Sequence, residues 1–474
     1  MIDYSQFKGA ESVFRFFAEI SKIPRASGNT GPIADYLMNF AKERGLWAIR
    51  DSADNVIIRK KATVGRESSP AVIFQGHTDM VPAWIQGSTF NFEKDALDLY
   101  IDGDFLKARG TTLGGDDGIA VAYALAVLDS NDISHPDFEA VFTSDEETGL
   151  IGAKAIDPDN IKGRLLVNID SDAEGIFTAG CAGGLRSDIT LPLTRESCSG
   201  VIYKVEISGL LGGHSGVEID KGRTNAIKLL CEILSSAPDI RLIRLAGGNA
   251  DNAIPSAAYA VLSISDASAD IIKAKIDAVC PMLSGEPGAK IEFTQFCNCK
   301  CVPMSKDSTD NVLSLIRNIP TGVVKMSDDI PTLVETSLNI GIAATDEEIF
   351  RLSVSIRSAK GEEKTKVAKL VSERAGELGA SVREHSAYPA WEYKKESVLR
   401  DVMCKVYKEC YGKDAEVVII HAGLECGIFS DKIEGLDCVS IGPDNFDIHT
   451  PDERLSISSS IRVWEYLIKV LGAL

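Results

Sequence analysis

Neither a membrane segment nor a leader is expected in this chain. No run approaches the ~20 apolar residues that a span requires, and Met1-Ile-Asp-Tyr-Ser-Gln-Phe-Lys8 has no basic stretch followed by an apolar one. A cytoplasmic home is expected. Basic charge is also scarce, with 50 Lys and Arg against 69 Asp and Glu and a formal net charge of −19. That deficit argues against a nucleic-acid footprint and against attraction to an anionic membrane surface. Paired C-x2-C motifs are missing as well. The 11 cysteines are odd in number and scattered, with Cys231 and Cys404 inside expected helices, so reduced thiols are expected. The one cluster, Cys297-Asn-Cys299-Lys-Cys301, has no second pair to complete a structural zinc site and reads as thiols near a strand end.

What is present is the composition of an ordinary globular protein, 45% hydrophobic and 25% charged, at a length of 474 residues that implies two domains. Its apolar runs end in chemistry. Val72-Ile-Phe-Gln-Gly-His77-Thr-Asp79 reads as a buried strand whose period of two turns His77 and Asp79 the same way. A metal-ligating imidazole with a carboxylate that fixes or orients the ring fits this pattern, and a structural histidine at a strand end is the plain alternative. Phe138–Thr143 runs into Ser-Asp-Glu146-Glu147, Leu165–Ile169 into Asp170-Ser-Asp172, and Cys438–Gly442 into a loop carrying Asp447 and His449. Functional sites of open α/β sheets lie outside the carboxyl ends of the strands, so these ends would share one rim.

Gly110-Thr-Thr-Leu-Gly-Gly-Asp116-Asp117-Gly118 opens a segment, Ile119–Leu128, that is apolar on every side and reads as a buried helix. A phosphate loop would place a lysine after its glycines, not two aspartates. Asp116 or Asp117 suits a bridge between two metals, with helix capping as the alternative. In the Glu146-Glu147 doublet one carboxylate can bind a cation while its neighbour, raised by like charge, takes a proton. Helices are expected over 11–23 and 31–44, the second with a polar cap at Gly28-Asn-Thr30 and Pro32 in its first turn.

After about residue 186 alternating strands replace the continuous runs. Strand 201–207, helix 225–234, strands 240–246 and 259–265, helix 270–283 and strand 290–296 follow the ferredoxin-like order. A second stretch, with helices near 307–318 and 362–378 and strands near 321–326, 333–342, 350–358 and 380–385, reads as a degenerate duplication in altered order. His214 among glycines, Asn252 and Arg357 stand here as candidate donors to a substrate, against turn or solvated-face readings. From about 387 the first texture returns, with helix 396–411, strand 416–420 leading to His421 and Glu425, and a closing helix about 456–471. The expected division is 1–185, 186–386 and 387–474.

Taken together, Gly76-His77-Thr-Asp79-Met-Val-Pro, Thr-Thr-Leu-Gly-Gly-Asp116-Asp-Gly-Ile-Ala, Thr-Ser-Asp-Glu146-Glu147-Thr-Gly, Asn-Ile-Asp170-Ser-Asp and Gly-Cys-Ala-Gly-Gly resemble, in order and over nearly the whole chain, the M20 family of dinuclear zinc peptidases. Its members that cleave aminoacyl-histidine dipeptides are the nearest in pattern. The resemblance implies an α/β, mixed-sheet zinc-peptidase catalytic domain with an inserted α+β ferredoxin-like lid domain. It implies two Zn2+ ions, replaceable by Co2+ or Mn2+, with Asp116 bridging, His77 and Asp170 completing one metal each, and Glu147 and His449 as the remaining ligands. Glu146 would be the general base and Asp79 would orient His77. His214 would stabilise an oxyanion, Asn252 and Arg357 would contact substrate, and His421 and Glu425 would lie near it. A cis peptide between Asp116 and Asp117 is implied too, although the family commonly has asparagine at the second position. The expected reaction is hydrolysis of Xaa-His dipeptides, β-alanyl-histidine included, by a zinc-activated water. Tripeptidase, carboxypeptidase and N-acyl-amino-acid deacylase activities of the same family are the alternatives. A non-catalytic scaffold would lack the base, and Glu146 is present. Edge strands of the lid suggest a homodimer through that domain.

Overall fold

The computed structural model describes residues 4–197, 200–295, 302–328 and 330–474, so the Cys297, Cys299 and Cys301 cluster lies outside the described residues. Two compact units emerge, one of Met1–Cys181, Tyr393–Ile419 and Leu424–Leu474, the other of Ala182–Glu392 and Ile420–Gly423. The cysteines among the described residues are free thiols. No helix among those residues is long and apolar enough to cross a membrane.

The first unit opens with helices α1 (Glu11–Ile20) and α2 (Gly31–Glu43), each burying one apolar face. Pro32 does sit in the first turn of α2, but Thr30 caps nothing with its side chain. Its hydroxyl turns to Asp54 instead, at 3.4 Å. Strands β1 (Trp47–Arg50), β2 (Val56–Lys60) and β3 (Val72–His77) follow, the last buried at every residue. Helix α3 (Gly115–Asp129) is enclosed all round, as its unbroken apolar sequence requires, and leads to β4 (Phe138–Thr143), β5 (Leu165–Asn168) and β6 (Ile176–Cys181).

The second unit runs β7 (Gly183–Pro192), β8 (Val201–Ser208), α4 (Ala226–Leu234), β9 (Arg241–Gly247), β10 (Ala258–Ile264), α5 (Asp266–Val279), β11 (Lys290–Gln295), α6 (Lys306–Asn318), β12 (Gly322–Met326), β13 (Val334–Thr345), β14 (Ile349–Ser358), α7 (Gly361–Gly376) and β15 (Ser381–Tyr388). Its sheet has the order β11-β8-β10-β9-β13-β14-β7-β15, with β12 paired to β13 off that path. The half β8-α4-β9-β10-α5-β11 has the ferredoxin-like spatial order. The other half has that order too once β7 is taken as its first strand, followed by α6, β13, β14, α7 and β15. The altered order seen in the sequence therefore has a simple cause: the first copy is inserted between the opening strand and the first helix of the second. The copies join antiparallel where β9 meets β13, at Gly247 and Ala343.

The chain then returns to the first unit with α8 (Val398–Tyr411), β16 (Glu416–Ile420), α9 (Glu425–Lys432), β17 (Asp437–Ser440) and α10 (Ile457–Ala473). These complete an eight-stranded sheet of order β1-β2-β4-β3-β5-β17-β6-β16. Strands β4, β3, β5 and β17 are mutually parallel, with His77 opposite Thr143 and Gln75 opposite Asn168. Their carboxyl ends form a single rim. This is the mixed α/β sheet that the apolar runs led one to expect.

Candidate metal centre

His77 closes β3, the Glu146-Glu147 turn follows β4, Asp170 follows β5, and the loop after β17 brings His449. Asp116 enters from the first turn of α3. Close approach of β3 to that turn requires Gly76, because a Cβ there would collide with Ala120 and the Asp117 carboxylate. The Asp116–Asp117 peptide bond is cis.

The Asp116 carboxylate lies between two imidazoles. One oxygen is 2.9 Å from Nε2 of His77 and the other 3.1 Å from Nε2 of His449. His77 Nε2 is also 3.7 Å from Asp170, and His449 Nε2 is 2.9 Å from Glu147 Oε1. Two donor clusters result, His77–Asp116–Asp170 and Asp116–Glu147–His449, and a third group joins His77 to Glu146 and Glu147. The family pattern assigns His77 and Asp170 to one metal each; the structure places both in the same cluster.

Without cations these groups neutralise one another. Although burial works against it, hydrogen bonds to Asp116 and Asp79 hold the His77 imidazole well above its ordinary range. Asp116 and Glu147 lift His449 to about 10. Against its burial, the imidazoles of His449 and His77 keep the Asp116 carboxyl below the usual carboxylate range. Asp170 goes the other way, raised by burial and by the nearby Asp117 and Asp116. Burial, with Glu425, Glu147 and Asp116 adding like charge against the pull of His77, pushes Glu146 up to about 8. A buried carboxyl poised near neutrality has the character of a general base. The donors fit a pair of divalent cations: two imidazoles, carboxylates on both sides and one shared carboxylate suit zinc-type chemistry.

Asp79 does more than orient a ring. Nδ1 of His77 is 3.1 Å from the Asp79 backbone carbonyl and 3.4 Å from its carboxylate. That carboxylate accepts from Glu146 N at 3.0 Å and from the Ser27 hydroxyl at 2.8 Å, tying the glutamate turn to the histidine turn. Glu425, expected near substrate, is fully buried below the rim. Its Oε2 accepts from Gln75 at 2.6 Å and Thr143 at 2.7 Å, and Gln75 accepts in turn from Asn168 at 2.7 Å. It braces the ends of β3, β4 and β5. Arg25, which carried no sequence signal, is also buried and donates to Thr78 O at 3.0 Å and Gly114 O at 2.6 Å.

The second unit gathers its own polar group. His214 lies on a two-residue strand paired with Ala253–Ile254, beside the exposed Asn252. Its Nδ1 accepts from the backbone N–H of Gly216 and Val217, both at 3.2 Å, which leaves the ring proton on Nε2. Arg357 donates to the Tyr388 hydroxyl at 2.9 Å, and its Nε is buried without a partner. His421 Nε2 is 2.7 Å from the Ser337 hydroxyl, with Nδ1 buried and unpartnered. Burial and the Arg357 charge push His421 down to about 4. Its unfolded form binds a proton near 6.5 that the folded form refuses until about 4, so stability should fall as pH drops through that window. The shift corresponds to roughly 3 kcal/mol. Denaturant titrations at pH 7 and 4.5 should show a smaller acid loss for His421→Gln than for the natural chain.

Fold and centre define the class, an α/β protein with a candidate metal centre of histidines and carboxylates at the rim of its mixed sheet. Residues 73–473 match the model of Peptidase family M20/M25/M40, and the chain belongs to that family of metallopeptidases. It is 36% identical over 471 residues to the cytosol non-specific dipeptidase of Escherichia coli (strain K12), covering 97% of each chain. Its fold matches the crystal structure of aminoacylhistidine dipeptidase from Vibrio alginolyticus with a TM-score of 0.93 and 32% identity, over 100% of this chain and 98% of that one. The aminopeptidase PepT of Bacillus cereus shares the fold at a TM-score of 0.62 and 16% identity, over 98% and 99% of the two chains.

Proposed function

We propose that this chain is a cytoplasmic dizinc dipeptidase, able to use Co2+ or Mn2+, that hydrolyses Xaa-His dipeptides including β-alanyl-histidine. The observation that carries the reading is the Asp116 carboxylate set between His77 and His449, with the half-buried Glu146 grouped with His77 and Glu147. His77 and Asp170 would hold one cation and Glu147 and His449 the other, with Asp116 between the two sets. When bound, such cations polarise a scissile carbonyl and make water acidic at neutral pH. Glu146 takes the proton of the attacking water and delivers it to the departing amine. Asp79 keeps the Glu146 backbone and the His77 ring in register. His214, with its proton on Nε2, donates to the oxygen on which charge develops. Arg357 and His421, each with a buried unpaired nitrogen, take the terminal carboxylate, and Asn252 adds a polar contact.

A panel of β-alanyl-histidine, glycyl-histidine, alanyl-alanine, a tripeptide and an N-acetyl amino acid tests this, with zinc-loaded and chelated protein. Cleavage of the histidyl dipeptides that is lost on chelation supports the proposal. Equal turnover of alanyl-alanine broadens it to dipeptides at large, and preference for the tripeptide or acetyl substrate moves the chain to another family activity. For assembly we propose a homodimer through the second unit. Its contact would use an outer strand, β11 or β15, because β9 and β13 already pair with each other. Light scattering should report twice the 51.0 kDa of one chain, and a single-chain mass rejects the dimer.

A further inference from the structure

The loop before α3 has the glycines of an anion cradle, and it does hold an anion, supplied by the chain itself. Glu453, almost fully buried, accepts four successive backbone N–H groups. Its Oε2 takes Leu113 N at 2.7 Å and Gly114 N at 2.9 Å, and its Oε1 takes Gly115 N at 2.8 Å and Asp116 N at 3.2 Å. Asn445 Nδ2 adds a fifth donor at 3.3 Å. These are N–H groups that the first turn of a helix leaves without partners. The loop is built for this seat. Gly114 has a φ of +67°, and a Cβ on Gly115 would stand 3.2 Å from the Glu453 carboxylate. From elsewhere in the fold Arg25 grips the carbonyl of Gly114, and its Nη2 would lie 2.5 Å from a Cβ on Gly114 or Gly118.

Glu453 belongs to the loop that carries His449, four residues upstream. That loop is closed by pairing of Asn445 with Leu455 and Phe446 with Arg454, and Arg454–Ser456 is anchored on Phe105–Ala108. Seating Glu453 therefore sets the His449 loop against the loop of Asp116, whose carboxylate is 3.1 Å from His449. His77 and Asp170 follow adjacent strands of the parallel sheet and owe their positions to it.

We infer that Glu453 is the positioning residue that assembles the Asp116–Glu147–His449 cation site, its carboxylate locking the Asp116 and His449 loops together. The inference rests on the dinuclear reading above. Its signature is selectivity: losing Glu453 weakens one cation site far more than the other.

The test is calorimetric titration of metal-free protein with Zn2+, with bound zinc counted by elemental analysis, for the natural chain, Glu453→Gln and Glu453→Asp. Two sites are expected in the natural chain. Glu453→Gln puts an amide N–H2 against backbone donors and should keep one site while weakening the other by about 10–100-fold, the usual loss when a ligand's supporting partner is removed. On the peptide substrate kcat should fall with KM unchanged, and Glu453→Asp should recover part of both. If Glu453→Gln does not fold by circular dichroism, Asn445→Ala, which removes one donor to the same carboxylate, should show the same selective loss in milder form. Equal weakening of both sites, or two sites of natural affinity in the folded variant, overturns the inference. A natural chain that takes up one zinc overturns the dinuclear reading and this inference with it, so the two failures are distinct.

Discussion

Glu146→Gln should lower kcat by about 10²–10⁴-fold while the protein still takes up two cations, the range that a positioned general base contributes. Glutamine keeps the volume of the side chain and removes the site that accepts a proton. Nothing else in the arrangement need move, since Asp79 holds position 146 by its backbone N–H. The residue is suited to the task because burial and its carboxylate neighbours keep its proton affinity near neutrality, at about 8 in the metal-free chain. Cations introduced beside it would lower that value, so the base is charged when the site is loaded. Turnover and zinc content measured on one preparation separate loss of the base from loss of the metal. Another carboxyl beside this group is held near neutrality: Asp172, raised to about 7 by desolvation and by Asp116. Near-natural kcat in Glu146→Gln would transfer the role of base there, and Asp172→Asn would then carry the large loss.

The rim of candidate donors was legible because a strand buried on both faces shows as an unbroken apolar run, and the first polar residues after it mark where it leaves the sheet. His77, Glu146, Glu147 and Asp170 all announce themselves in this way. The two halves of the second unit were legible as a degenerate duplication, but the cause of the altered order was not, because the opening strand of one, β7, stands far upstream of the helix it belongs with. Periodicity sees neighbours in sequence, and this pairing exists only in space. The same limit hid Arg25 and Glu453. Both act on backbone carbonyl and N–H groups, which every residue possesses, so the partner leaves no side-chain pattern to read. The hydrogen bonds of Glu425 were hidden for a related reason. The family resemblance placed it near the site without naming its partners, and α9 sets it against Gln75 and Thr143, residues of two other strands.

Asp116→Ala should abolish tight binding of both cations, where His449→Ala and Asp170→Ala should each cost chiefly one. Asp116 is the member common to the two clusters on either side of it, and each of its oxygens faces a different imidazole. Removing it leaves His77 with Asp170 and His449 with Glu147, two incomplete sets each short of the carboxylate that draws the cations together. The affinity loss should exceed the roughly 10–100-fold that follows removal of a mere supporting partner, at both sites at once. Thermal denaturation gives an independent reading. A ligand that binds only the folded state at a thousand times its Kd adds about 4 kcal/mol of stability, so zinc should raise the melting temperature of the natural chain and leave Asp116→Ala unmoved. The metal-free variant also loses the carboxylate that, with Glu147, lifts His449 to about 10. That interaction stabilises the folded chain at every pH below the raised value and fades as pH climbs through it. Metal-free Asp116→Ala should therefore melt below the metal-free natural chain at pH 7, with the gap closing toward pH 10. A variant that still gains stability from zinc at either site would show that the cations do not share this carboxylate.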